Sequence, residues 1–437
     1  MDFYNLVSFS GIFMLIGIAW LFSTDRSNMN WRAVVWGVVL QLIFAFFVFV
    51  IPIGAKLFLF LNDIAVKLLD SASAGSRFLF GKLSLPPGTA NEAGESSLGF
   101  FLAFQALPTI VFFSALMAIL YYLNIMPRII RGFSFVFTRL MRVSGAESLV
   151  TASNIFVGVE AALTIRPHLG EMTRSELCTV LTAGMATVAS NVLALYIFAL
   201  KGQFPTIAGH LMSASVLSAP AAIVMSKIML PESEIPKTLG VQILPHYEKE
   251  TSMFTAIIKG ANDGVRMIAG IAALLLAVLG IVAMADLFLG FAGSHLNGFF
   301  NMQIDWSLKT LLGYLFYPLT LILGVPLADA GLIAKIIGER VVLTEVTSYQ
   351  DLAIALSKNL IHNPRSTVIA TYALCGFAHV ASMAIFVGGT AALVPQKTRD
   401  LSDVAFRALI AATLACLMTA CIAGTFFTNG SLLLARN

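Results

Sequence analysis

The chain has 437 residues, 58% of them apolar and only 11% charged, with 27 basic and 23 acidic side chains and a net charge of +4. A soluble domain carries about 25% charged residues, so these charges cannot wet so much apolar chain, and the mean hydropathy of +0.88 agrees. Soluble, disordered and nucleic-acid-binding proteins are excluded, which leaves a polytopic membrane protein.

A bilayer core needs about 20 apolar residues per helix. Taken in order, the stretches 5–23 and 33–55 meet that need. The first is expected to be a retained span: Met1-Asp2-Phe3 lacks a basic n-region, and no small-residue cleavage site closes the run. Residues 56–80 place Lys56, Asp63, Lys67, Asp70 and Arg77 among apolar residues, the pattern of an amphipathic helix on the membrane surface. A span is expected over 99–123. Residues 128–142 follow, with Arg128, Arg131, Arg139 and Arg142 between Ile, Phe and Leu, and read as an interfacial helix on anionic lipid. Further spans are expected over 176–200, 205–229, 266–291, 366–389 and 403–428. Two stretches, 145–172 and 308–340, are apolar at both ends with a glycine and an acid near the middle. Each is too long for a loop and too interrupted for a plain span. Cys178, Cys375, Cys416 and Cys421 lie inside apolar runs without metal-ligand spacing and read as small packers.

The bias of Lys and Arg sets orientation. With the N-terminus outside, Arg26 and Arg32, the four arginines of 128–142, Lys237, Lys249 and Lys259, and then Lys397 and Arg399 all fall inside. The opposite side carries Lys82 and Lys201. The segment 335–365, with four basic residues, runs against the rule. Both termini are expected outside.

The two interrupted stretches share a pattern. GVEAAL (158–163) and GVPLADA (324–330) each put Gly-Val before an acid and small residues. Each precedes a span with a small or polar cluster, ATVASN (186–191) or CGFAHVAS (375–382). Paired glycine-interrupted segments in two halves mark the binding site of a secondary transporter. A re-entrant hairpin exposes unpaired backbone at its tip, which is tolerable only beside a wet cavity or a ligand. Glu160 and Asp329 lie where a buried charge is costly, so each is a functional candidate; the bland alternative pairs Glu160 with Arg166. His379 lies within the expected span 366–389, beside the second small-residue cluster, and histidine is a common proton-transfer residue. Asn154 sits one helical turn before Gly158. Thr187 and Asn191 share a helix face, and their oxygens suit a hard cation. No HExxH, GxSxG or P-loop motif supports an enzyme. A gate or structural subunit without transport is the remaining alternative.

At these residues the chain resembles the concentrative nucleoside transporter family. The likeness is carried by ESLVTASNIFVG (147–158), Arg166-Pro167, MTRSEL (172–177), SASVLSAP (213–220), Pro231-Glu232, Gly324-Val325-Pro326 and ALCGFAH (373–379). GVVLQ (37–41) and the run 103–123 add to it, and the match covers about residues 30–428. The resemblance implies an all-α integral membrane protein with eight transmembrane helices and two re-entrant hairpins. It implies an inverted-repeat, elevator-type symporter that imports nucleosides across the cytoplasmic (inner) membrane and assembles as a homotrimer. A scaffold would comprise 1–126 and 263–306, and a transport domain 127–262 and 307–437. The coupling ion would be sodium, or a proton in some members. Sodium would be held by Asn154, the Val157 carbonyl, Thr187 and the Val188 carbonyl. Substrate would be held by Val159, Glu160, Val192, Asp329, Phe377, His379 and Ser382. The family's first tip reads Gly-Gln-Thr-Glu, whereas this one reads Gly158-Val159-Glu160, a residue shorter. Asp329 aligns with the second hairpin's Glu, and His379 with an Asn. The ribose end is therefore retained with altered reach. The base end loses its amide unless Gln105 or Asn191 replaces it, and a nucleoside-like substrate becomes an alternative.

Overall fold

The computed structural model describes residues 2–90, 94–247, 250–300 and 303–428. Met1, Lys249 and the end of the expected second transport segment, 429–437, lie outside these. Among the described residues the structure is helical throughout, without strands. Helix α1 (Phe3–Leu21) and α2 (Trp31–Phe49) are followed by α3 (Pro52–Phe80). Pro52 opens α3, where its missing N–H costs nothing, and Gly81, at φ +53°, closes it. Phe58, Asn62, Ala65, Leu69, Ala72 and Ser76 bury one stripe of this helix, as the amphipathic pattern predicts. The short α4 (Leu102–Gln105) leads into α5 (Thr109–Tyr122), then α6 (Ile125–Met141). On α6, Met126, Ile130, Phe137 and Met141 face inward, while its arginines and Arg142 remain exposed.

The next elements form the first half of an inverted repeat. Helix α7 (Gly145–Asn154) is opened by a capping box between Ser144 and Glu147. Its chain turns at 155–158 and returns through a 3₁₀ segment, Val159–Ile165. Helix α8 (Arg174–Ala186) opens on a second capping box, Thr173 with Glu176. The chain then unwinds at 187–189 and resumes as α9 (Ser190–Leu200), so the span expected over 176–200 is interrupted. Helix α10 (Ile207–Met229) closes this half.

Helix α11 (Met253–Phe300) has 48 residues and is only 6% buried over its most apolar window. At 1.5 Å per residue it is about 72 Å long, more than twice a bilayer core. It meets α5 by close backbone approach. A Cβ on Gly260 would sit 2.7 Å from the Ser114 carbonyl oxygen, and one on Gly264 2.7 Å from Val111 Cα. Small residues four apart permit this fit.

The second half repeats the first. Helix α12 (Leu308–Ile322) turns at Gly324, φ +81°, into α13 (Leu327–Glu339). The chain turns again at 340–344 into α14 (Glu345–Ser357). Helix α15 (Pro364–Leu374), a break at 375–379 and α16 (Val380–Leu393) follow, and α17 (Thr398–Phe426) completes the core. Two expectations are corrected here. The second hairpin's tip is at 340–344 rather than near Gly324, because α12 and α13 already pair around the Gly324 turn. The span expected over 366–389 is two helices. The basic segment 335–365 therefore runs from the end of α13 through the tip and α14 to the start of α15. Among the described residues, seven helical segments are long and apolar enough to cross a membrane.

The two breaks cross. A Cβ on Gly376, at φ +144°, would lie 2.8 Å from the Ala186 carbonyl oxygen and 2.7 Å from Cys416 Sγ. The Cys416 thiol donates to the Cys375 carbonyl at 3.2 Å. Helix α1 is fastened to the second half by buried polar contacts. Asn5 Nδ2 donates to the carbonyls of Thr425 and Phe427, and Ser8 Oγ to that of Leu323. Arg365 donates to the Gly324 and Tyr4 carbonyls, Asn5 Oδ1 and Ser8 Oγ.

Candidate functional site

Both hairpin tips and both helix breaks meet at one cavity. Tip 1 contributes Gly158, Val159 and Glu160, and the first break with α9 adds Ala189 and Val192. Tip 2 contributes Thr344, Glu345 and Val346; the second break with α16 adds Phe377, His379 and Ser382. Met267, Ile271, Leu274 and Leu275 of α11 form an apolar wall opposite. Such irregular backbone is tolerated at membrane depth because it faces this cavity. Of the substrate residues expected from the sequence, Val159, Glu160, Val192, Phe377, His379 and Ser382 are brought together here.

Asp329 is not among them. It is fully buried at the base of α13. Its carboxylate accepts from Ser366 Oγ at 2.6 Å and from the backbone N–H groups of His362 and Asn363 at 3.0 and 3.1 Å. It thus satisfies donors at the start of α15, where a negative charge also meets the positive end of the helix dipole. The acid that reaches the cavity from the second tip is Glu345, which sequence reading missed. Its signal in the sequence is a Thr344-x-x-Thr347 cap opening a helix, within the basic segment 335–365.

Glu345 anchors a buried polar chain. Tyr196 Oη donates to Glu345 Oε1 at 2.7 Å. His379 caps α16, with Nδ1 accepting from Ser382 N at 3.2 Å, which leaves Nε2 as the protonated nitrogen. Nε2 lies 2.7 Å from Ser382 Oγ and 2.9 Å from Glu345 Oε2. The carboxylate is thus held by Tyr196 and His379 where Glu345 lines the cavity.

Glu160 stands between this cavity and a second one, framed by α5, α11, Tyr121, Asn191 and Tyr247. Asn191 faces that second cavity and donates to Ser114 Oγ at 3.4 Å. Gln105 is elsewhere: its Nε2 is held by the carbonyls of Leu85 and Gly99. Neither supplies an amide to the first cavity. Arg166 is exposed. Val159 packs onto Gly389 of α16, where any Cβ would sit 2.5 Å from a Val159 methyl.

Behind tip 1, the expected cation ligands also converge. The tip and the break are tied by Ser190 N, which donates to the Phe156 carbonyl at 3.0 Å. Ser215 Oγ of α10 donates to the Ile155 carbonyl at 2.9 Å and the Val188 carbonyl at 3.4 Å. Thr187 Oγ1 donates to the Ala183 carbonyl at 2.8 Å, which leaves its lone pairs free. Asn154 Nδ2 donates to the Val150 carbonyl, while its buried Oδ1 has no partner. An orphaned amide oxygen beside freed carbonyls, at the C-terminal ends of α7 and α8, fits a hard cation.

Three family models match the chain. Residues 10–83 match "Na+ dependent nucleoside transporter N-terminus", 103–203 "Nucleoside recognition", and 210–424 "Na+ dependent nucleoside transporter C-terminus". Solute carrier family 28 member 3 of Mus musculus is 36% identical over 434 residues, 96% of this chain and 58% of that protein. The chain thus spans less than two thirds of the first mammalian relatives. An uncharacterized transporter of Bacillus subtilis (strain 168) is 34% identical over 418 residues, 95% of this chain and 98% of that one. The structure of CNTnw in an inward-facing substrate-bound state superposes with a TM-score of 0.84 at 33% identity, covering 97% of this chain and 98% of that one. A CNTnw double mutant in an outward-facing state gives a TM-score of 0.86, with the same identity and coverage.

Proposed function

The chain belongs to the Na+ dependent nucleoside transporter family, and on that premise we propose that it is a secondary symporter that imports nucleosides with sodium. One observation carries the reading: acids from both hairpin tips, Glu160 and Glu345, line one cavity together with His379 and Ser382, polar groups suited to sugar hydroxyls. Glu345 takes the role that the second tip's acid has in the family, in place of Asp329. Sodium takes the place bounded by Asn154, Val157, Thr187 and Val188. The family description names sodium; a proton would rest on Glu160, Asp329 or His379, of which Asp329 lies outside the cavity and His379 is engaged as the cap of α16.

The moving body, in this reading, includes α1 and α2. Arg365, Asn5 and Ser8 bind α1 to the second half through buried contacts. The stationary body is then α5 with α11, rather than all of 1–126. Exposed apolar α11 would be covered by lipid and by two further copies in a homotrimer. The chain would sit in the cytoplasmic membrane with both termini outside.

Val159 offers a base only shape. An apolar wall discriminates weakly, whereas placed polar partners reject a ligand that leaves them unpaired. The ribose end therefore carries selectivity. The test is uptake of radiolabelled uridine into proteoliposomes under a sodium gradient or a proton gradient. Sodium should drive it, adenosine should compete within about tenfold of uridine, and 2′,3′-dideoxyuridine should compete poorly. Uptake that follows only the proton gradient, or dideoxyuridine competing as well as uridine, would overturn the reading.

A further inference from the structure

The inverted repeat contains a second place built like the sodium site. In the first half, the C-terminal ends of α7 and α8 converge behind tip 1, and Ser215 of α10 donates to carbonyls of tip and break. Two negative helix ends and freed carbonyls there favour a cation. In the second half, the C-terminal ends of α13 and α15 converge behind tip 2 in the same way. Cys416 of α17 stands where Ser215 stands, donating to the Cys375 carbonyl of the break. The residue that ends α13 is Arg340, and its side chain is fully buried. Nη1 donates to the Ala373 carbonyl, in the last turn of α15, at 2.5 Å. Nε and Nη2 have no hydrogen-bond partner among the described residues. Nearby acids are engaged elsewhere: Glu339 by Lys309, and Glu345 by Tyr196 and His379.

A buried guanidinium without a carboxylate is expensive unless something else answers its charge. Two helix C-termini answer it here, as they answer an ion in the first half. Arg340 does not line the substrate cavity, just as Asn154 and Thr187 do not. We propose that the Arg340 guanidinium is a tethered cation filling the second-half counterpart of the sodium position, so that one sodium, not two, accompanies each substrate. The proposal rests on the sodium-symport reading above.

The test uses the full chain in proteoliposomes, with uridine and sodium as probes. The charge moved per uridine and the order of the sodium dependence are measured for the wild type, Arg340→Lys and Arg340→Gln. The wild type should move one sodium per uridine with a Hill coefficient near one. Arg340→Lys keeps the charge and should keep that ratio. Arg340→Gln vacates the place: uptake should fall at least tenfold at low sodium and recover with a second-order sodium dependence or with added guanidinium. A wild-type ratio of two overturns the proposal. So does an Arg340→Gln protein that transports with unchanged first-order sodium dependence. If Arg340→Gln does not fold, Arg340→Lys decides, since a ratio other than one overturns the assignment and a ratio of one with retained transport supports it. Uridine uptake indifferent to sodium would instead sink the symport reading itself.

Discussion

Replacing Glu345 by Gln removes a charge and keeps a shape, and it separates two assignments of the second hairpin's acid. In the wild type, Oε1 takes the Tyr196 hydroxyl at 2.7 Å, while Oε2 lies 2.9 Å from His379 Nε2, and the residue lines the cavity. The Gln retains one acceptor for Tyr196 and presents either a neutral oxygen or an amide donor to the substrate. A hydrogen bond to a charged group contributes about 1.5–3 kcal/mol, which converts to a loss of roughly 10- to 150-fold in affinity. Part of the wild-type charge also orients His379, so the loss should fall toward the upper end. Binding of uridine and 3′-deoxyuridine to the purified protein, measured by calorimetry, checks this. The mutant should bind uridine weakly and should barely distinguish the two ligands. Asp329→Asn is the contrast: it lies away from the cavity, so uridine affinity should hold. Its thermal midpoint should fall, because the carboxylate that collects Ser366 and two backbone donors is gone. If Asp329→Asn abolishes binding and Glu345→Gln leaves it intact, the geometric argument is refuted.

Three further outcomes are expected. Thr187→Val removes one oxygen from the sodium place and should raise the sodium concentration for half-maximal uptake several-fold, with uridine affinity at saturating sodium little changed; a flux titration checks it. Gly376→Ala meets the Ala186 carbonyl and forces a side chain to φ +144°, a strain of about 1–3 kcal/mol before any clash, so the protein should lose thermal stability and transport together. A cross-link that joins α1 to α17 should leave uptake running, whereas one that joins α5 to α9 should stop it; arrest by the first would return α1 to the stationary body.

Much of this architecture was legible because apolar length is a strong signal. The spans, the surface helix α3 and the arginine-flanked α6 were all visible in it. The first tip was visible because Gly158 and Glu160 stand out in apolar surroundings. The second tip was hidden for physical reasons. Its turn, Arg340 to Thr344, has no glycine, and α14 is rich in Thr, Ser, Gln and Asp, so it reads as a loop. Meanwhile Gly324 and Asp329 imitate the expected pattern while serving a different turn and a helix start. The breaks at 187–189 and 375–379 leave little trace in hydropathy, since a few unwound residues among apolar neighbours stay apolar. Asn154, Thr187 and His379 stand out as polar residues in apolar surroundings, Thr187 also by sharing a helix face with Asn191, whereas Phe377 and Ser382 were found only through the likeness of their motifs.

On the proposed symport reading, the crossing at Gly376 would couple the affinities for the two ligands. The carbonyl of Ala186, beside the sodium place, rests against the backbone that positions Phe377 and His379. Ordering one break therefore orders the other, without any direct contact between ion and nucleoside. Linkage then requires the effect to be mutual: whatever factor sodium adds to nucleoside affinity, nucleoside must add to sodium affinity. Such mutual coupling would favour the loaded pair over either ligand alone, and so limit how much of a gradient is spent on an empty crossing.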